Sequence, residues 1–213
     1  QLLDVKSFNK FLHKNEELLL FLPNIKEIKF KIENSSFSFK KETNKIDENL
    51  FKVSLLNRSK YKKYFYLYSQ KFSLPGYEKN NKATVSVAYK YSRNKNNFLP
   101  VNNDKNLFVF FNMQENFEYK FYINAPFRTT ESRVSILEEN KDNEILSKHC
   151  EEVILNSILK FKKNKILNIS FFDLLPLEKD KINNFVNIKD KINSFLIEEE
   201  IWPTSKGKEF CSI

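Results

Sequence analysis

Glycine is almost missing from this chain, with two in 213 residues, Gly76 and Gly207. No G-x-G-x-x-G turn, P-loop or G-x-S-x-G elbow can be written with so little of it, which excludes phosphate cradling by a glycine-rich loop. Cysteine is as scarce. Cys150 and Cys211 sit in contexts that give no reason for a disulfide, and they read as two idle thiols in a reducing compartment, which points to the cytoplasm. The two histidines, His13 and His149, make no metal set with them, because the adjacent His149 and Cys150 point in different directions on a helix; no metal site is expected. Long apolar runs are absent too. The longest, Leu18 to Pro23, falls far short of the roughly 20 residues that cross a bilayer, so no membrane partner is expected. The chain opens on Gln1 with neither an initiator methionine nor a signal-type stretch, which fits a fragment of a longer protein.

Lysine, asparagine, isoleucine and phenylalanine are over-used, as AT-rich coding produces whatever the function. The 36 Lys and Arg against 27 Asp and Glu leave a net charge of +9, which raises nucleic acid as a partner. The excess is mostly lysine and is spread along the chain, so the charge weighs little. With 41% hydrophobic and 30% charged residues the chain is expected to fold rather than stay disordered.

Asp4 to Pro23 carries apolar residues at helical spacing, as one amphipathic helix or two short ones. From Ile25 the period changes to two: Ile28, Phe30 and Ile32 alternate with Lys29, Lys31 and Glu33, the pattern of a half-buried strand. Further strands are predicted at 36–40, 50–56, 62–72 and 83–91, at 107–111 as a run covered on both faces, and at 117–123. Polar connectors separate them at 41–49, 73–82 and 92–105. Beyond residue 125 the pattern turns helical. Ile145, Leu146, Cys150, Val153, Ile154, Ile158 and Phe161 form a stripe that predicts a helix over 143–163, with Asp142 and Asn143 as candidate N-caps. Shorter helices are predicted at 170–175 and 185–201, Pro203 ends the last one, and an extended piece closes the chain at 209–213. Glu198, Glu199 and Glu200 read as a solvated helix end.

Two segments carry candidate chemistry. Tyr61 to Phe72, interleaved with Lys60, Lys62 and Lys63, has the composition of a stacking platform for single-stranded nucleic acid. It reads more simply as a strand whose aromatics pack on the sheet and whose lysines guard an edge. The other segment, Ala125 to Arg133, lies where sheet gives way to helix, a position that favours functional side chains. Arg128 and Arg133 stand out in a chain whose cations are nearly all lysine, since a planar guanidinium suits bidentate contact with phosphate oxygens. The plainer reading of these arginines is a salt bridge to Glu131 or Glu138.

At these residues the sequence resembles the middle domain of Hsp90-like (GHKL) ATPases, above all bacterial proteins related to the N-terminal ATPase regions of sacsin. The landmarks are Glu17 to Ile28, Leu107 to Phe111, Phe121 to Phe127 with Ser132-Arg133, Phe172 to Leu177, and Ile201 to Gly207. Their order covers nearly the whole chain. The resemblance implies an α/β fold, a mostly antiparallel sheet backed by helices of the ribosomal S5 domain 2-like type, with a small C-terminal helical subdomain. It divides the chain into a helical lead-in over 1–24 from a missing ATPase domain, a transducer over 25–165 and a helical extension over 166–213. It also implies that Arg133, with Arg128 as the second candidate, reaches the ATP γ-phosphate from outside the nucleotide domain. Val134 and Leu137 stand where the family's Ser-Arg-Glu-x-Leu-Gln motif has Glu and Gln, so only the arginine's role carries over. ATP and Mg would belong to the full-length parent and no cofactor to this stretch, which lacks the family's nucleotide-pocket motifs. The implied partners are its own N-terminal ATP-binding domain, downstream domains and a second copy of the parent. The alternative is a nucleic-acid-binding module of a bacterial defence or DNA-processing protein.

Overall fold

A computed structural model of the chain describes residues 16–32, 35–57, 62–74, 82–101, 106–113, 119–132, 134–137, 139–175, 189–199, 201–203 and 210–211. After a 3-10 helix at Glu16–Phe21 come β1 (Glu27–Ile32), β2 (Ser35–Asp47), β3 (Leu50–Asn57), β4 (Lys62–Ser73), β5 (Lys82–Ser92), β6 (Asn97–Phe98), β7 (Leu107–Val109), β8 (Phe111–Asn112) and β9 (Tyr122–Asn124). Three helices follow, α1 (Lys141–Lys163), α2 (Ile169–Phe172) and α3 (Lys189–Glu198), and then a small ladder of β10 (Trp202–Pro203) with β11 (Phe210–Cys211). The class is α/β with a mostly antiparallel sheet, as expected. Among the described residues no helix is long and apolar enough to cross a membrane.

The strands run in the order β1-β2-β3-β4-β5-β9-β7-β8, with β6 pairing β5 off this path. The first five form a meander of antiparallel neighbours; β9 then inserts beside β5 and takes β7 as a parallel partner. Both faces of the sheet are covered. On one, α1 lays Leu146, Cys150, Val153, Ile154, Ile158 and Phe161, all fully buried, onto Tyr66, Val85, Val87 and Tyr89. Each such side chain contributes at most about 1.5–3 kcal/mol. The Tyr89 hydroxyl, buried among them, meets Ser157 Oγ at 2.8 Å, so α1 also satisfies the core's polar atom. On the other face the 3-10 helix lays Leu19, Leu20 and Phe21 over Phe39, Val53, Leu55, Phe65 and Phe108. Lys63 pairs there with both Glu16 and Glu17.

Several predicted boundaries move, each for a physical reason. The predicted connector over 41–49 is mostly strand: β2 pairs with β3 as far as Asp47↔Leu50. Thr43, Asn44 and Lys45 are exposed, so the ladder there holds without the apolar alternation that marks a half-buried strand. Two residues, Glu48 and Asn49, make the turn, with Asn49 at φ 63°. Residues 107–111 do not run straight. Leu107 and Phe108 are buried, but Phe110 adopts φ 61° and turns the chain into β8, leaving Phe110 and Phe111 54% and 61% exposed. β4 is an interior strand, so Lys62 and Lys63 guard no edge. The N-cap of α1 is Asn140, whose side chain accepts from the Asn143 backbone, rather than Asp142 or Asn143. The predicted 117–123 strand is observed only at Tyr122–Asn124, with Tyr119 and Phe121 buried ahead of it. Residues 117 and 118, the lead-in over 1–15, the segment 185–188 of the predicted last helix, and Glu138, Glu200 and Gly207 lie outside the described residues.

With glycine scarce, other residues take the left-handed positions. α1 ends in a Schellman motif: Ile166 N–H donates to Phe161 O at 2.9 Å and Lys165 N–H to Lys162 O at 3.0 Å. Lys165, at φ 56°, occupies the position where glycine is the usual residue. Asp47 ties the β2–β3 turn to this helix end, accepting from Lys160 at 3.1 Å and Asn164 at 3.2 Å. The Asn164 amide, the Glu48 backbone N–H and Lys160 together hold its carboxyl well below the usual carboxylate range.

Candidate functional site

The segment between β9 and α1 is a short hairpin built on a buried root. Ile123, Asn124, Ala125 and Phe127 are buried. Ala125 N–H donates to Phe108 O at 3.1 Å, and the Asn124 side chain accepts from Phe110 N–H at 3.2 Å. Two strand-like arms then leave the core. Thr129 and Ile136 form a β-bridge, flanked by Leu137 N–H to Arg128 O and Thr130 N–H to Ser135 O, both at 3.0 Å. Ile136 is buried and pins the hairpin down, whereas Glu131, Ser132 and Val134 at the tip are exposed.

Asn143, in the first turn of α1 and fully buried, holds the root. Its Oδ1 accepts from Arg128 N–H at 2.7 Å, and its Nδ2 donates to Arg128 O and to Leu137 O, each at 2.9 Å. One amide thus closes both arms of the hairpin onto the start of the helix. Sequence reading placed Asn143 at a cap; the signal for the second role was two asparagines three residues apart, one of which could cap and leave the other for the loop.

Arg128 stands at the base of the hairpin with its side chain 53% exposed, and its Nε lies 3.5 Å from Asp142 Oδ2. Among the described residues the carboxylate beside it is Asp142, supplied by α1; Glu138, one of the two partners read from the sequence, lies outside them. Arg133 lies outside the described residues. Its neighbours in sequence, Ser132 and Val134, are both exposed. At the same end of the sheet the β7–β8 turn presents Phe110 and Phe111, because β7 and β9 are parallel and finish together.

Other candidates resolve into packing. His149 stacks on Phe72 with ring centroids 3.8 Å apart and lies 3.5 Å from Glu152. Burial pushes the Cys150 thiol far above its ordinary value, which leaves it a poor nucleophile. Among the described residues no three His, Cys, Asp or Glu side chains are grouped to hold a metal ion. Lys41, which sequence reading did not single out, is buried on β2 and donates to Leu22 O at the end of the 3-10 helix. Desolvation lowers its pKa to about 8. No protein-family model, curated protein or solved structure matches this chain.

Proposed function

We propose that this chain is the transducer-type middle segment of a larger Hsp90-like ATPase, with the ribosomal S5 domain 2-like variety of the α/β fold. In that reading ATP and Mg bind in an upstream domain of the parent, in the cytoplasm, and the 128–137 hairpin carries an arginine to the γ-phosphate when the two domains close. The observation that carries the reading is the rooting of this hairpin by Asn143. A cation stabilises charge on a transferring phosphoryl group only if it is held in place beforehand. A loop whose two arms are bonded to a core helix meets that requirement at its base, and Ser132 and Val134, the residues beside Arg133 in sequence, are exposed.

Arg133 at the tip is the proposed contact and Arg128, engaged with Asp142, the second candidate. Hydrolysis would then depend on rigid-body approach of the two domains, which couples nucleotide state to whatever follows in the parent. The test is steady-state ATP turnover by the full-length protein carrying Arg133→Ala, compared with Arg128→Ala. Arg133→Ala is expected to lower turnover by at least about tenfold with nucleotide affinity little changed. Unchanged turnover would refute the assignment.

A further inference from the structure

Strand alternation divides the aromatic and basic residues of β4 between the two faces of the sheet. Tyr66 lies under α1 with Tyr89 and Tyr91. Lys62 and Tyr64, at two-residue steps from it, share that side, whereas Lys63 and Phe65 share the side of the 3-10 helix. Cross-strand partners point the same way. The ladders therefore carry the first side outward from β4: Lys62 aligns with Leu56 of β3 and Lys40 of β2, Tyr64 with Ser54 and Glu42, and Tyr66 with Lys52 and Asn44. On β1 the same side continues through Glu27, Lys29 and Lys31.

This outer part of the sheet is packed on one face. There the 3-10 helix covers Phe39, Val53, Leu55 and Phe65, all buried. On the other face α1 packs on β4 and β5, and beyond it Lys29, Lys31, Lys40 and Lys62 are exposed, with Lys52 and Tyr64 half-buried. Carboxylates are the minority on this side. Glu27 faces Lys29 at 3.3 Å, and Glu42 stands between Lys40 at 3.7 Å and Lys62 at 3.5 Å; ion pairs this exposed are worth little. Lys52 has no carboxylate partner among the described residues. Its Nζ sits 5.2 Å from the centre of the Tyr91 ring and 5.8 Å from that of Tyr66, which holds the cation without neutralising it. The Tyr64 row lies between the Lys62 row and the Lys52 row, about 7 Å from each at roughly 3.4 Å per residue, so the ring is flanked by cations along the strands.

We propose that this open face over β2 to β4 is a docking surface for single-stranded nucleic acid, with Lys40, Lys52 and Lys62 meeting phosphates and a base stacked on Tyr64. A field of lysines complements a polyanion along its length, and an aromatic ring set among them receives a base whatever its identity. An acidic protein would use the charges and leave the ring idle. The surface is separate from the arginine hairpin. Its rows reach β5 at Tyr89 and Tyr91, whereas the hairpin leaves the sheet beyond Asn124, level with Ser86, so neither reading depends on the other.

The experiment follows a fluorescent oligothymidylate by anisotropy with the full-length protein and its variants, retained folding being checked by circular dichroism. Lys40→Gln with Lys62→Gln is expected to weaken binding by at least about tenfold and to lower the salt slope by about 1.4, at about 0.7 per phosphate contact. Lys45→Gln with Lys90→Gln removes equal charge from the opposite side of the same sheet and should change affinity by less than about threefold. Glu42→Gln is expected to tighten binding by about twofold to threefold, a gain that loss of structure would not produce. Tyr64→Leu should weaken it by at least about fivefold with the salt slope unchanged. Equal losses from the two lysine pairs, or an unchanged affinity in Tyr64→Leu, would overturn the proposal. So would tighter binding of a duplex of the same length, displacement by polyglutamate as readily as by unlabelled oligothymidylate, or no binding at all.

Discussion

Replacing Asn143 by alanine removes three hydrogen bonds at once, and their partners are not equally exposed to the loss. Arg128 O keeps the Leu137 N–H at 3.0 Å. Arg128 N–H and Leu137 O, bonded to the amide at 2.7 and 2.9 Å, lose that partner in a site where Asn143 itself is fully buried. Each orphaned backbone group costs about 1–2 kcal/mol, and the lost packing adds to it, so the variant should be less stable by about 3 kcal/mol. For a chain of this size that corresponds to a melting temperature lower by roughly 6–12 °C. The Asn143→Asp variant discriminates packing from bonding. It keeps the volume and the acceptor for Arg128 N–H but sets a carboxylate against two carbonyl oxygens, so it should be at least as unstable as Asn143→Ala at neutral pH and recover partly in acid. Thermal unfolding followed by circular dichroism measures both. A decrease under about 2 °C for Asn143→Ala, or an Asn143→Asp variant as stable as the parent at neutral pH, would show that the amide does not hold the hairpin.

Two further predictions concern stability alone. Lys165→Gly should raise stability by about 0.5–1 kcal/mol in urea unfolding, because a left-handed position that now strains a side chain would receive the residue that adopts it freely; a loss of stability would argue against the helix-end geometry. Lys41, with its folded pKa near 8 against an ordinary 10.5, makes stability rise with pH. Below about 8 both states carry the proton and the folded one bears the desolvation cost; between 8 and 10.5 only the unfolded state still holds it, so the unfolded chain binds more protons and stability increases by on the order of 1–3 kcal/mol. Buried tyrosines such as Tyr89, whose pKa values are raised, act in the opposite sense above about pH 10. The measurement is therefore the difference between the parent and Lys41→Met from about pH 7.5 to 9.5, and equal slopes would contradict the assignment.

The helix α1 and the central strands were legible because burial leaves a period. β5 shows Val85, Val87, Tyr89 and Tyr91 on alternate positions, and all four face α1. Where backbone pairing continued without burial, as in the outer half of β2, the side chains carried no pattern and the strand was read as a connector. The break at Phe110 was illegible for a related reason. A left-handed phenylalanine within an apolar run leaves no mark in composition, and only the pairing of β7 with β8 exposes it. The arginine segment was located from residue type and its place between sheet and helix. Its anchorage was hidden, since Asn143 and Asn140 carry the same side chain and only geometry separates cap from clamp.

The insertion of β9 between β5 and β7 has a mechanical consequence for whatever engages the hairpin. A force applied at the tip passes through Phe127 into a strand laced on both flanks, so drawing it out would shear two ladders together. A strand on the rim would peel away one bond at a time. The lever is therefore stiff at its base, and a pull there is spread across the middle of the sheet.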